Sequence, residues 1–392
     1  MALTICGVVG TCAAPVAAQT PQPPINPAIQ ADKEKANGNT VAILSSSGSS
    51  IYTTFVEDIF KVLDDRKDNG LRVLPIMSRG AVYNVFDILN LQGVDMGLTE
   101  SIMLDHYETL DQGKYKNIRQ RIQYVAKLAN TEFHIIAKKE ITDLRQLAGK
   151  KVDFYVKESG TALVGQDLFK LLNIPVEPVF SFADNELRDR LNSGEIAASA
   201  RASTAPGPFQ KIFKPEDSLH LLAIDSSLPG YEKIRAKYFP AVLTSEQYPN
   251  LLPPGETVAT IANATVLAVY AWPEGSERYR RLDNFVKKFF DSIDKFQTGS
   301  YHPRWKEINL AAEVPGWTRF KAAQAWLDAH KVKGAADAGG LGGDTAAIRA
   351  AFEQFLNKQA KAKGRALSSA ERDELAASFE EWWKSKTTVT GR

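Results

Sequence analysis

From Val41 onward the apolar positions change period again and again. Val41-Leu44, Leu71-Ile76 and Val94-Leu98 are short continuous runs, and Phe55-Leu63 and Val82-Leu91 between them follow the helical repeat. That alternation predicts β-α-β units and a mostly parallel sheet. The same grammar returns with the run Val152-Val156, helix Ala162-Leu172, run Val176-Phe180, helix Asn185-Leu191 and the runs Ile196-Ala200 and Leu219-Ile224. Ile122-Ala129 with Phe133-Ala137, and Val258-Ile261 with Val266-Tyr270, are long enough to pass from one sheet into the next. The expected architecture is therefore α/β, two lobes joined by two hinge strands: lobe I over 40–131, lobe II over 132–263, and a return to lobe I with covering helices over 264–330.

Tyr279, Leu282, Phe285, Val286, Phe289, Phe290, Ile293 and Phe296 form one amphipathic stripe opened by Ser276, a helix that covers a sheet. Five glycines between Gly334 and Gly343 mark a linker over 331–343. Beyond it Ile348, Ala351, Phe352, Phe355 and Leu356, then Leu375, Phe379, Trp382 and Trp383 behind the capping pair Ser368 and Glu371, predict a C-terminal helical hairpin over 344–392.

At the other end no charge precedes Asp32, and Val16-Ala17-Ala18 before Gln19 fits a signal-peptidase site, although a basic first region is missing. Residues 1–18 are expected to be a signal peptide, 19–39 a flexible tether rich in Pro, Gln, Asn and Ala, and the mature chain periplasmic. Both cysteines, Cys6 and Cys12, would leave with the signal.

A hydrophobic content of 44% with 24% charged residues allows a large core and fits neither a disordered chain nor a multi-span membrane protein. The formal charge of +2 is too small for a phosphate-binding surface, so nucleic acid is not an expected partner. His106, His134, His220, His302 and His330 are scattered, with no zinc spacing. Nucleophile elbows, P-loops and dinucleotide fingerprints are missing too, so neither a cofactor nor a catalysed reaction is expected.

The chain does place small hydroxyl- and glycine-rich turns after its strands. Ser45 to Ser50 opens the helix containing Phe55; Ser78-Arg79-Gly80 follows the second strand, and Thr99-Glu100-Ser101 ends the third. Ser159-Gly160-Thr161 opens a helix in the second series. Helix amino ends and an arginine fork suit an anion, and four such turns at strand carboxyl ends converge where open α/β sheets bind ligands.

In order and spacing these motifs resemble the TAXI solute-binding proteins of tripartite ATP-independent periplasmic (TRAP) transporters, from about Val41 to Lys295. Ser46 to Tyr52 is similar to the family's glycine-rich turn followed by Tyr, and Ser78 to Asn84 to its small-residue turn ending in Asn. Gln92 to Leu98 and the following Ser101, Leu144 to Val152, Ser159-Gly160-Thr161 and Gly194-Glu195-Ile196 match further steps. The resemblance implies a type II-like periplasmic binding protein that captures a small organic anion, an amino acid or carboxylate, for a TRAP membrane permease, as a monomer. It implies ligand contacts from Ser46, Ser47, Ser50, Tyr52, Ser78, Arg79, Asn84, Glu100, Ser101, Ser159, Gly160 and Thr161. The chain departs from the pattern where serines replace most glycines of the first turn, where Ala197 replaces Asp, and where Glu100 takes an uncharged polar position. The alternative is a periplasmic sensory or scaffold protein on the same fold whose hairpin binds a partner.

Overall fold

The computed structural model describes residues 26–46, 50–67, 69–181 and 184–332. The expected signal peptide, the first part of the tether, Ser47, nearly all of the glycine-rich linker and the C-terminal hairpin lie outside the described residues.

Lobe I opens with α1 (Pro27–Gly38), β1 (Thr40–Leu44), α2 (Ile51–Leu63), β2 (Arg72–Ile76), α3 (Ala81–Asn90) and β3 (Met96–Glu100). Three short helices, α4 (Met103–Leu110), α5 (Gln112–Tyr115) and α6 (Ile118–Arg121), lead into the long β4 (Ile122–Lys138). Lobe II holds β5 (Lys151–Asp153), α7 (Gly160–Leu171), β6 (Glu177–Val179), α8 (Asp184–Ser193), β7 (Ala198–Ser203), β8 (Leu219–Leu221), α9 (Tyr231–Arg235) and β9 (Phe239–Thr244). The return runs through β10 (Thr257–Tyr270), α10 (Glu277–Asp291), α11 (Ile293–Thr298) and α12 (Lys321–Ala329).

Both lobes are parallel at heart. In lobe I the strand order is β2-β1-β3-β10-β4, with β1 parallel to β2 and β3 and β10 antiparallel to β3. In lobe II, β5 lies parallel between β6 and β7, and β7 runs antiparallel to β4. The β1 run is continuous because both its faces are covered: Val41 and Ile43 are fully buried on one, Ala42 and Leu44 nearly so on the other. β4 and β10 each serve both lobes without interruption. They pair with one another from Ile122↔Tyr270 to Glu132↔Ala262, after which β4 turns to β7 and β8 and β10 to β9. These are the two hinge strands.

Where they cross, polar side chains are buried: Asn130, Thr131, Glu132, Asn263 and Thr265. Thr131, Thr265 and Glu132 are tied down, as most buried polar groups are. Thr131 and Thr265 share a hydroxyl bond of 2.9 Å, and Glu132 accepts from Arg304 Nη2 at 2.7 Å and from the Ala205 N–H at 2.8 Å. Arg304 belongs to the lobe I return, Ala205 to lobe II. Burial opposes the charged guanidinium, but the Glu132 and Glu307 carboxylates outweigh it and hold Arg304 above its usual range.

Two expectations are corrected. The tether is helical over α1, because Pro27 at the first position is preorganised for a helix, Asn26 caps it by accepting from the Ala28 N–H, and the rest are mostly good helix formers. No residue of α1 is buried; Arg280 and Arg281 hold its carboxyl end through the Gly38 and Asn37 carbonyls. The aromatic stripe is two helices rather than one. At Ser292 the N–H turns to the Phe289 carbonyl, and α11 departs so that Phe296 can stack on Trp305, with ring centroids 4.4 Å apart.

Candidate functional site

Between the lobes lies a cavity of about 470 Å³, and the four turns meet there. The first two interlock within lobe I. Ser50 caps α2 by accepting from the Tyr52 N–H, and the Ser78 hydroxyl donates to the Ser45 carbonyl at 2.9 Å while accepting from the Gly80 N–H. Gly80 has φ of 103°, a left-handed value that costs glycine little. Arg79 leaves this turn with its guanidinium 4.0 Å above the Tyr83 ring.

In lobe II, Ser159 caps α7, accepting from the Ala162 N–H and donating to the Val156 carbonyl. Tyr155, just after β5, sits at φ of 61°, strained for a residue with a side chain. Its ring lies 4.9 Å under the guanidinium of Arg201 on β7. Arg201 is 4% exposed and donates to Asp153 Oδ2 at 2.8 Å, to Ser199 Oγ and to the Ala200 carbonyl. One nitrogen thus joins the carboxyl end of β5 to β7, presenting a fixed cation to the cleft. Behind it His134 is buried: Arg201 O lies 3.1 Å from its Nδ1, and the Tyr248 hydroxyl, which accepts from the Gly207 N–H, lies 2.5 Å from its Nε2. Burial pushes this imidazole down to about 4, so it stays neutral and braces the Phe209 wall of the cavity.

Two contacts cross the cleft at its turns. Arg79 Nη2 is 3.9 Å from Glu158 Oε2, a pair too exposed to stabilise much. More tightly, Glu100 at the end of β3 lies against Gly160, where a Cβ would come within 2.5 Å of its Oε1. Glu100 is 4% exposed and takes one hydrogen bond, 3.0 Å, from Asn263 Nδ2. Burial raises it to about 7, against the pull of Asn263 and Tyr52. The Tyr52 hydroxyl is buried beside it and beside the Thr265 hydroxyl, and burial together with the Glu100 charge moves it well above the ordinary phenol range.

Of the residues expected to bind ligand, Ser46, Ser50, Tyr52, Ser78, Arg79, Glu100, Ser159, Gly160 and Thr161 line the cavity. Asn84 and Ser101 do not, and their assignment is corrected. Asn84 is fully buried and donates to the Ser45 and Leu98 carbonyls, holding the ends of β1 and β3 together; the Ser101 hydroxyl accepts from the Ala264 N–H. Sequence reasoning passed over Tyr155, Arg201, Thr131, Tyr83 and Phe209. Arg201 had left a signal, a lone charge among small residues at the end of an apolar run, whereas nothing local marks Tyr155.

Thr161 carries a structural duty as well, since its hydroxyl accepts from the Ala202 N–H at 2.9 Å. Thr161→Val is expected to lower unfolding free energy by about 1–3 kcal/mol through that stranded donor. Urea denaturation measures it; an unchanged midpoint would mean that β7 finds another acceptor.

Residues 44–315 match the NMT1-like family. The chain belongs to that family. No protein of curated function matches it. Among solved structures, this NMT1-like chain is similar to a periplasmic binding protein from Brucella ovis with glutathione bound (13% identity, 73% of this chain and 80% of that one, TM-score 0.38). It is also similar to the amino acid ABC transporter substrate-binding protein AbpA of Streptococcus pneumoniae, bound to L-arginine (13%, 70% and 98%, TM-score 0.36). A third is a protein of the glutathione import system of Streptococcus mutans (15%, 68% and 98%, TM-score 0.37). Among the described residues of the NMT1-like chain no helix is long and apolar enough to cross a membrane, and no three side chains could hold a metal.

Proposed function

We propose that this protein is an exported solute-binding protein that closes its two lobes on a small organic anion, an amino acid or carboxylate, and delivers it to a TRAP-type membrane permease. One observation carries the reading: helix amino ends and arginines from both lobes, α2 with Arg79 and α7 with Arg201, face one cavity, and two continuous strands join those lobes. Positive helix ends and guanidinium groups favour an anion, and a hinge of this kind lets the halves enclose it.

A thermal-shift screen of amino acids and carboxylates tests the proposal, because a ligand at about 100 times its dissociation constant adds about 2.7 kcal/mol of stability. For any hit, Arg79→Gln is expected to weaken binding about tenfold with little loss of stability, since that side chain is 69% exposed. Equal affinity of the variant would place the anion away from this turn.

A further inference from the structure

Charge is laid out unevenly in the cavity wall. Its two guanidinium groups already have carboxylate neighbours, Arg201 with Asp153 at 2.8 Å and Arg79 with Glu158 at 3.9 Å. Glu100 is the third carboxylate, and among the described residues no lysine, arginine or histidine forms an ion pair with it. Asp153 stands behind the wall rather than in it, so with each guanidinium already beside a carboxylate the negative charge left over is that of the buried Glu100. What balances it is partial: the Asn263 amide on Oε2 and the amino end of α7 beside Oε1. Next to it the Tyr52 hydroxyl, on a side chain 6% exposed that lines the cavity, is buried beside the Glu100 carboxylate and the Thr265 hydroxyl and brings no positive charge. A buried carboxylate without a counter-ion is costly, and this one borders the cavity. A dicarboxylate placed there would add like charge to Glu100. A protonated nitrogen would complete the pair, while the anionic end of the same molecule faces Arg79.

We infer that Glu100 determines specificity in this site by accepting a protonated nitrogen of the solute, so that the cavity takes zwitterionic amine-carboxylates and rejects dicarboxylates that lack nitrogen. This rests on the solute-binding reading and narrows it.

The test is calorimetric titration of matched pairs that differ in the amine, glutamate against glutarate and aspartate against succinate, with the wild-type protein and with Glu100→Gln. Wild type is expected to hold the amine member at least about tenfold tighter, as a charge-assisted hydrogen bond implies, and the glutamine variant to reduce the ratio to about threefold or less. Should the variant not fold, the wild-type ratio is followed from about pH 5.5 to about pH 8, where the amine stays protonated. The ratio is expected to rise as Glu100 ionises, since the titratable groups facing it, Tyr52 from α2 and Tyr238 ahead of β9, are both held well above the phenol range. Equal affinity within each wild-type pair, or a ratio that neither the substitution nor pH alters, would overturn the role of Glu100 alone. Failure of every compound to bind would overturn the solute-binding reading and this inference with it.

Discussion

Arg304→Met is expected to remove about 3–5 kcal/mol of unfolding free energy, among the largest losses any single side chain here can cause. Arg304 and Glu132 are both buried, 6% and 2% exposed, and meet at 2.7 Å where β4 leaves lobe I. Methionine fills the space of the arginine stem but leaves the Glu132 carboxyl in the interior without its counter-ion, where it must either stay charged on backbone N–H groups alone or take up a proton. The loss therefore comes from the carboxyl that has lost its partner rather than from packing. Adding Glu132→Gln, which keeps an acceptor for Ala205, should restore more than half of it. Urea denaturation of both variants at a constant slope provides the comparison. A loss below about 1 kcal/mol in the single variant would mean that water reaches the carboxylate, and the hinge would not depend on this pair.

Glu100→Gln is expected to stabilise the protein by up to about 3 kcal/mol above neutral pH and to change little near pH 4. Burial raises Glu100 from 4.5 to about 7. Between those values the folded protein holds a proton that the unfolded chain has released, so stability falls as pH rises through the interval and levels off above it. Glutamine has no proton to lose and removes the slope. His134 acts in the opposite sense: it is driven from 6.5 down to about 4, so its contribution is lost as pH falls through that range. Subtracting the variant curve from the wild-type curve cancels His134 and isolates Glu100. A gap between them that is the same at about pH 5 and about pH 8 would show that Glu100 ionises normally.

Local chemistry wrote most of the fold into the chain. Val41-Leu44 reads as a strand because both its faces are covered, and Ser50, Ser159 and Ser276 read as helix starts because each serves as a cap. Legibility weakened where one residue's role depends on a distant one. Asn130 to Glu132 look like a break in an apolar run, yet they continue β4, since Arg304, 172 residues beyond Glu132, neutralises it there. Within the site the turns were visible, but Tyr155 and Arg201 reach the cleft only because β5 pairs with β7 through Asp153↔Ser199. Asn84 has the same polar character as a ligand contact. It uses that polarity on backbone carbonyls at the ends of the neighbouring strands β1 and β3, which spacing alone does not reveal.

The chain enters and leaves the described structure through the same half. α1 feeds β1 and is clasped by Arg280 and Arg281 of α10, and after Thr298 the backbone returns to β4, where Tyr124 bonds to Thr318 and Phe320, before α12 sets Trp326 against Phe290. Mechanically, lobe I is the frame and lobe II the jaw. Whatever is fastened at either end of residues 26–332 grips the frame, so the jaw can swing about β4 and β10 without pulling on its attachments. In the proposed closure the backbone strain of the swing falls on the crossing that Glu132 and Arg304 hold.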